Sequence, residues 1–274
     1  MDRNGTEKDI YKEVVMENVI QIALYGQDGK IKSLGNEKQS ALSDMQDAPE
    51  GTLFFLPARR PSHMTVIQCP GGGFNQINLS YEGLDFAPWF NERGINLAIL
   101  KYRYPRGDSK VLLEDITRAM DLLREQYPEK CAKLGVMGTS IGGYYAAISA
   151  QLPEGRRNDF QILLYSVTTM EEGLTHKHCQ ECIMGGDHRQ DHLSALSPLE
   201  HVTSSTSPAF IVASADDPAV SPLNSILYAA ELERNHVPFA LHIYENGGHG
   251  FGFKDAYPHK QEYLSELEAW LKKQ

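Results

Sequence analysis

The stretch KLGVMGTSIGGYYAAISAQ, residues 133–151, decides the reading of this chain. Its first half is short, apolar and bounded by glycine, as a buried strand is. Its second half is a small-residue and aromatic run of helical character. Between them lies Gly138-Thr139-Ser140-Ile141-Gly142, with a small residue two positions before and two after the serine. A sharp strand-to-helix turn needs that spacing, because side chains there would collide with neighbouring backbone. Such a turn lifts the Ser140 hydroxyl above the sheet edge and sets a helix N-terminus behind it, where developing negative charge is favoured. Alone, the pentapeptide reads equally well as a glycine-rich bend that packs a helix on a strand.

Outward from this turn, short β-rich runs alternate with longer amphipathic ones. The strands expected are 64–69, 96–102, 133–138, 160–165, 209–215 and 239–245, preceded by weaker candidates at 19–25 and 52–57. Helices are expected over 81–92, 111–126, 141–151, 222–235 and 261–272. In the second of these, Leu112, Leu113, Ile116, Met120 and Leu123 recur at helical spacing and read as core. The alternation predicts βαβ units and a mostly parallel sheet flanked by helices in one α/β domain. Residues 1–45 are polar and weakly patterned, and read as an N-terminal extension. About forty residues between Tyr165 and Ala209 show little periodicity, and a loop that long is expected to cap the site or face substrate.

The 274 residues carry a formal charge of −10, which argues against non-specific binding of nucleic acid or anionic membranes. No apolar run approaches the roughly 18 residues of a transmembrane helix. The polar start, MDRNGTEKDI, lacks a signal-peptide core, so a cytoplasmic location is expected, or secretion if a native leader was removed. Four cysteines are too few for a disulfide scaffold and fit a reducing compartment. The sequence leaves oligomeric state open, homo-oligomers included.

A serine hydroxyl needs a base. Of ten histidines, His249 alone sits in a glycine-flanked loop, NGGHGFG, after a strand. An orienting carboxylate is offered by Asp216 and Asp217, which follow the strand 209–215 at the edge where open α/β sheets bind ligands. Asp217, three residues before Val220, is the choice; Asp216 is left to cap or brace the turn. CPGGGF, 69–74, follows the strand 64–69 and exposes backbone N–H groups unobstructed by side chains. Gly72 or Gly73, with the amide of Ile141, then forms an oxyanion hole. The loop lacks the spacing of a phosphate-binding motif. The order oxyanion loop, Ser, Asp, His, each part following a strand, makes Ser140 a nucleophile rather than a bend residue.

These segments, together with LKYRYP (100–105) and LSPLEHV (196–202), resemble the α/β-hydrolase superfamily. Within it the likeness is to small serine esterases with a Gly-Gly-Gly oxyanion loop, the bacterial acetylesterases acting on xylan and other sugar esters. It spans about residues 50–272 and departs from such enzymes at Ile141, commonly alanine there, and over 170–195. The resemblance implies an acetylesterase with the triad Ser140, Asp217 and His249, no cofactor, no metal, and an acetylated sugar as partner. Ile141 is expected to narrow the acyl site. A prolyl-oligopeptidase-like serine peptidase and a catalytically silent binding protein are the alternatives. HKHCQEC, 176–182, with Asp187, His188 and His192 beyond it, has zinc-ligand residue types but no recognised spacing and reads as a polar cap loop.

Overall fold

The computed structural model describes residues 19–25, 31–33, 50–187 and 189–274. Most of the expected N-terminal extension, and His188, lie outside the described residues. Among the described residues, nine strands form one sheet: β1 (Ile20–Ala23), β2 (Ile31–Ser33), β3 (Thr52–Leu56), β4 (Met64–Cys69), β5 (Asn96–Lys101), β6 (Lys133–Thr139), β7 (Phe160–Leu164), β8 (Ala209–Ser214) and β9 (Phe239–Tyr244). Their spatial order is β2-β1-β3-β5-β4-β6-β7-β8-β9. The first four in space pair antiparallel, and β5 through β9 run parallel. The helices are α1 (Ala87–Glu92), α2 (Lys110–Gln126), α3 (Gly142–Ser149), α4 (Lys177–Met184), α5 (Gln190–Ala195), α6 (Leu223–Arg234) and α7 (Lys260–Leu271). This is the mostly parallel sheet flanked by helices that the alternating pattern predicts, in the α/β-hydrolase arrangement that the resemblance implies. Strand β2 went unread because three residues are too few to show a period of two.

The fully buried strands, β5 and β8 among them, explain why those segments read as continuous apolar runs: both sheet faces are covered. Strand β9 sits at the edge, and its Phe239 and Ile243 stay exposed.

Two expectations need correction. The helix expected from Tyr81 begins as a 3₁₀ turn at Leu84–Phe86 and becomes α-helical only at Ala87. Pro88 has no N–H to give a carbonyl four residues back, so it is tolerated only in a helix's first turn. Leu113 is 39% exposed rather than core, because it faces away from the stripe of Leu112, Ile116, Ala119 and Leu123.

The site is positioned by the strand order. Chain direction across the sheet reverses at β4, which has β5 on one side and β6 on the other. Such a switch point opens a crevice at the C-terminal strand ends. Cys69 of β4 pairs with Gly138 of β6, so the loops after these strands start level. Ser214 of β8 pairs with Tyr244 of β9, which aligns the next two loops in the same way.

The long excursion after β7 has structure of its own. Val167 to Met170 run buried without regular structure, and three of their N–H groups are satisfied by side chains. Asn224 Oδ1 accepts from the Thr168 and Thr169 N–H groups, and Ser197 Oγ accepts from Met170 N. Helices α4 and α5 then follow, and α4 lies beside the loop after β4. Among the described residues, no helix is long and apolar enough to cross a membrane.

Candidate active site

Ser140 occupies the turn between β6 and α3 with φ of +54°, a left-handed value that a non-glycine residue adopts only when its surroundings impose it. The constraint is visible in the packing. A Cβ on Gly142 would lie 1.9 Å from the Cys69 carbonyl oxygen, and one on Gly138 would lie 2.1 Å from the Gly142 carbonyl oxygen. Helix α3 therefore presses against β4 and β6 as only glycine permits. Ser140 N–H donates to Leu164 O at 3.0 Å, and Ser140 O accepts from Gly143 and Val167. The backbone is held on both sides, and the side chain keeps a small exposed tip of 7%.

His249 meets this hydroxyl. Ser140 Oγ lies 2.8 Å from His249 Nε2, and His249 Nδ1 lies 2.7 Å from Asp217 Oδ2. A carboxylate only accepts, so Nδ1 carries the proton and donates to Asp217. That leaves Nε2 bare to accept from the serine hydroxyl. The Asp217 side chain is wholly buried, and its other oxygen accepts from the N–H groups of Ala219 and Val220 at 2.9 and 3.0 Å. Three bonds therefore fix the carboxylate in place.

The neighbouring acid does different work. Asp216 is exposed and accepts from Gly248 N at 2.8 Å and Gly247 N at 3.3 Å, so it braces the histidine loop. The Gly248 N–H lowers its pKa below the ordinary carboxylate range.

The glycine loop after β4 faces the serine. Gly72 has φ of +131°, and a Cβ there would lie 2.0 Å from Gln76 O. Its carbonyl closes a tight turn by accepting from Asn75 and Gln76. Gly71 N–H is already given to Thr139 Oγ1 and Glu82 Oε2, so it is not an oxyanion donor. Among the described residues, no hydrogen bond takes the N–H of Gly72, Gly73 or Ile141. Ile141 is the N-cap residue of α3, and its amide belongs to the helix end that lacks intrahelical acceptors. Its side chain is fully buried. The expectation that its bulk would wall the acyl site is corrected: the branch packs into the core.

Several neighbours were not legible as site residues. His176 caps α4, accepting from Cys179 N–H through Nδ1 at 3.4 Å, which puts the ring proton on Nε2. Its Cε1 lies 3.8 Å from where a Gly73 side chain would start. Burial and the His249 imidazole hold its pKa below the ordinary histidine value. The 176–182 cluster is divided: Cys179 is buried beside the glycine loop, whereas Cys182 pairs with His178. Among the described residues no group of three His, Cys, Asp or Glu could hold a metal ion. In YRYP, Tyr102 OH donates to Pro70 O at 2.8 Å and its ring stacks on Tyr145. Arg103 pairs with buried Asp115. That segment supports the glycine loop from beneath.

Residues 106–274 match the prolyl oligopeptidase family. The chain is 29% identical over 243 residues to an acetylxylan esterase of Xylanibacter ruminicola, covering 86% of this chain and 50% of that protein. It is 31% identical over 204 residues to endo-1,4-beta-xylanase B of Butyrivibrio fibrisolvens, covering 68% of this chain and 32% of that one. It thus spans about half the length, or less, of these curated relatives. Among solved structures it resembles an acetyl ester-xyloside bifunctional hydrolase from Caldicellulosiruptor lactoaceticus. The TM-score there is 0.76 and the identity 26%, over 92% of this chain and 95% of that one. A Thermogutta terrifontis esterase with propionate bound shares the fold, with a TM-score of 0.68 at 20% identity over 82% and 89% of the two chains.

Proposed function

The chain belongs to the prolyl oligopeptidase family, and we propose that within it this protein is a serine carboxylesterase that removes acetyl groups from sugars such as xylo-oligosaccharides. The observation that carries the reading is the unbroken relay from Asp217 through His249 to Ser140. The acetylxylan esterase and acetyl ester-xyloside hydrolase among its relatives support the acetyl-sugar substrate.

In this reading His249 Nε2 takes the hydroxyl proton as Ser140 Oγ attacks the ester carbonyl carbon. Asp217 fixes the tautomer and stabilises the imidazolium. The carbonyl oxygen becomes an oxyanion held by the amides of Ile141 and of Gly72 or Gly73, whose N–H groups are free for it. The imidazolium then protonates the departing sugar alkoxide. Water, deprotonated by the same imidazole, releases acetate and restores Ser140. No step requires a cofactor.

The peptidase reading is kept because of the family match itself. Both readings predict labelling of Ser140 by a fluorophosphonate, and its absence would sink both. Acetate release from acetylated xylo-oligosaccharides, compared with cleavage of a prolyl peptide amide, separates them. Faster cleavage of the amide would overturn the esterase assignment.

A further inference from the structure

Glu82 is 1% exposed, on the segment between the glycine loop and α1. Its Oε2 accepts from Gly71 N at 3.1 Å and from Asn78 Nδ2 at 2.8 Å. Its Oε1 accepts from Tyr165 OH at 2.6 Å. Tyr165 OH in turn accepts from Gly252 N at 2.9 Å, three residues past His249. The Tyr165 ring stands edge-on to the His249 imidazole, with centroids 4.9 Å apart. Phe253 N–H donates to Tyr81 O at 2.7 Å, a second tie between the same two segments. One carboxylate therefore joins the glycine loop to the loop that carries the base.

The hydrogen bonds also fix its charge. Gly71, Asn78 and Tyr165 are all donors to it, and the Tyr165 oxygen already accepts from Gly252. A protonated Glu82 would hold a donor with no acceptor and would leave the tyrosine proton stranded, so the ionised form is the one that uses every group. Burial dominates and raises the Glu82 pKa above the ordinary carboxylate value; the bonds from Tyr165 and Asn78 and the attraction of His249 offset only part of that. No Lys or Arg pairs with Glu82 among the described residues. Burying an anion without a cation is costly.

We propose that Glu82 is a positioning residue: it orients the glycine loop through Gly71 and the histidine loop through Tyr165. The proposal rests on the esterase reading. The other groups that bear on the imidazole are Asp217 after β8, Ser140 at the β6–α3 turn, the Tyr165 ring after β7 and His176 at α4; Asp216 acts on it only through Gly247 and Gly248. Of the two negative charges closest in function, Asp217 touches the ring and Glu82 acts from one residue further away.

The test is kcat and KM for an aryl acetate, beside a melting curve, in wild type, Glu82→Gln and Tyr165→Phe. Loosened loops should lower kcat about tenfold to a hundredfold in both variants, with a smaller change in KM. A wild-type kcat in Glu82→Gln, or a loss carried by KM alone, would overturn the proposal. If Glu82→Gln fails to fold, Tyr165→Phe decides through kcat, and a wild-type kcat there overturns it. Wild type that resists fluorophosphonate labelling would instead refute the esterase reading.

Discussion

The two ends of the sheet differ in a way that separates space from chemistry. A cleft of about 560 Å³ lies at the N-terminal strand ends, between Pro61–Met64, Arg93–Ile95, Lys133 and the end of α7. Its arginine is already spent. Arg93 pairs with Glu268 at 2.7 Å, donates to Trp89 O and lies over the Trp89 ring. The C-terminal end gathers a serine aimed at a bare imidazole nitrogen and backbone N–H groups with no acceptor. Convergence of unspent polar groups, rather than the presence of a cleft, marks the candidate site.

The largest expected effect breaks this contrast most directly. Ser140→Ala should lower esterase kcat by about 10⁴- to 10⁶-fold with the thermal midpoint near wild type. Steady-state turnover of an aryl acetate, beside a melting curve, checks it. Next comes the acid pair. Asp217→Asn should cost about 10³- to 10⁴-fold, because an amide in its place no longer holds the imidazole tautomer. Asp216→Asn should cost less than about tenfold, since that residue only braces the loop. A crippled Asp216→Asn with an active Asp217→Asn would reverse the assignment.

Asp216 also sets a pH expectation. Its folded pKa is depressed, so its hold on the histidine loop is present above the unfolded carboxylate pKa and lost as pH falls through the folded value. The Gly247 and Gly248 amides should therefore stay protected from hydrogen exchange through the mildly acidic range and lose protection only at lower pH. Early loss near the ordinary carboxylate pKa would contradict this.

A smaller effect concerns acyl length. Among the described residues of the excursion after β7, no large apolar side chain is exposed, and each unburied CH₂ forfeits about 0.8 kcal/mol. Aryl ester kcat/KM should fall by about tenfold or more from acetate to octanoate. A rise along the series would show an apolar channel. The smallest effect belongs to the other end. Arg93→Ala should cost about 0.5–1 kcal/mol in denaturant unfolding and leave kcat unchanged. Lost activity there would tie the large cleft to the chemistry.

Much of this was legible because local rules suffice. The buried strands announce themselves as apolar runs, and Gly138 and Gly142 announce a turn that no larger residue could make. Ser140, His249 and the Asp216–Asp217 pair could be named because each sits just past a strand. Local rules also misled. The 81–92 run reads as one helix, which hid Glu82 on an irregular segment before Pro88. The histidines and cysteines of 176–182 read as one cluster until α4 divided them. Tyr165 read as the end of a strand, although it has φ of +40° and turns its ring to His249.

Strand identity, the parallel sheet and the residue types of the relay follow from period, turn chemistry and order along the chain, which are properties of neighbouring residues. Which glycine amides remain free, and that Glu82 joins two loops more than 160 positions apart, are properties of the closed sheet. They depend on β4 meeting β6 and β8 meeting β9 in one register, and on burial that leaves each polar group a single partner. No local pattern carries that information, because the partner's distance along the chain is set by the fold rather than by the residues beside it.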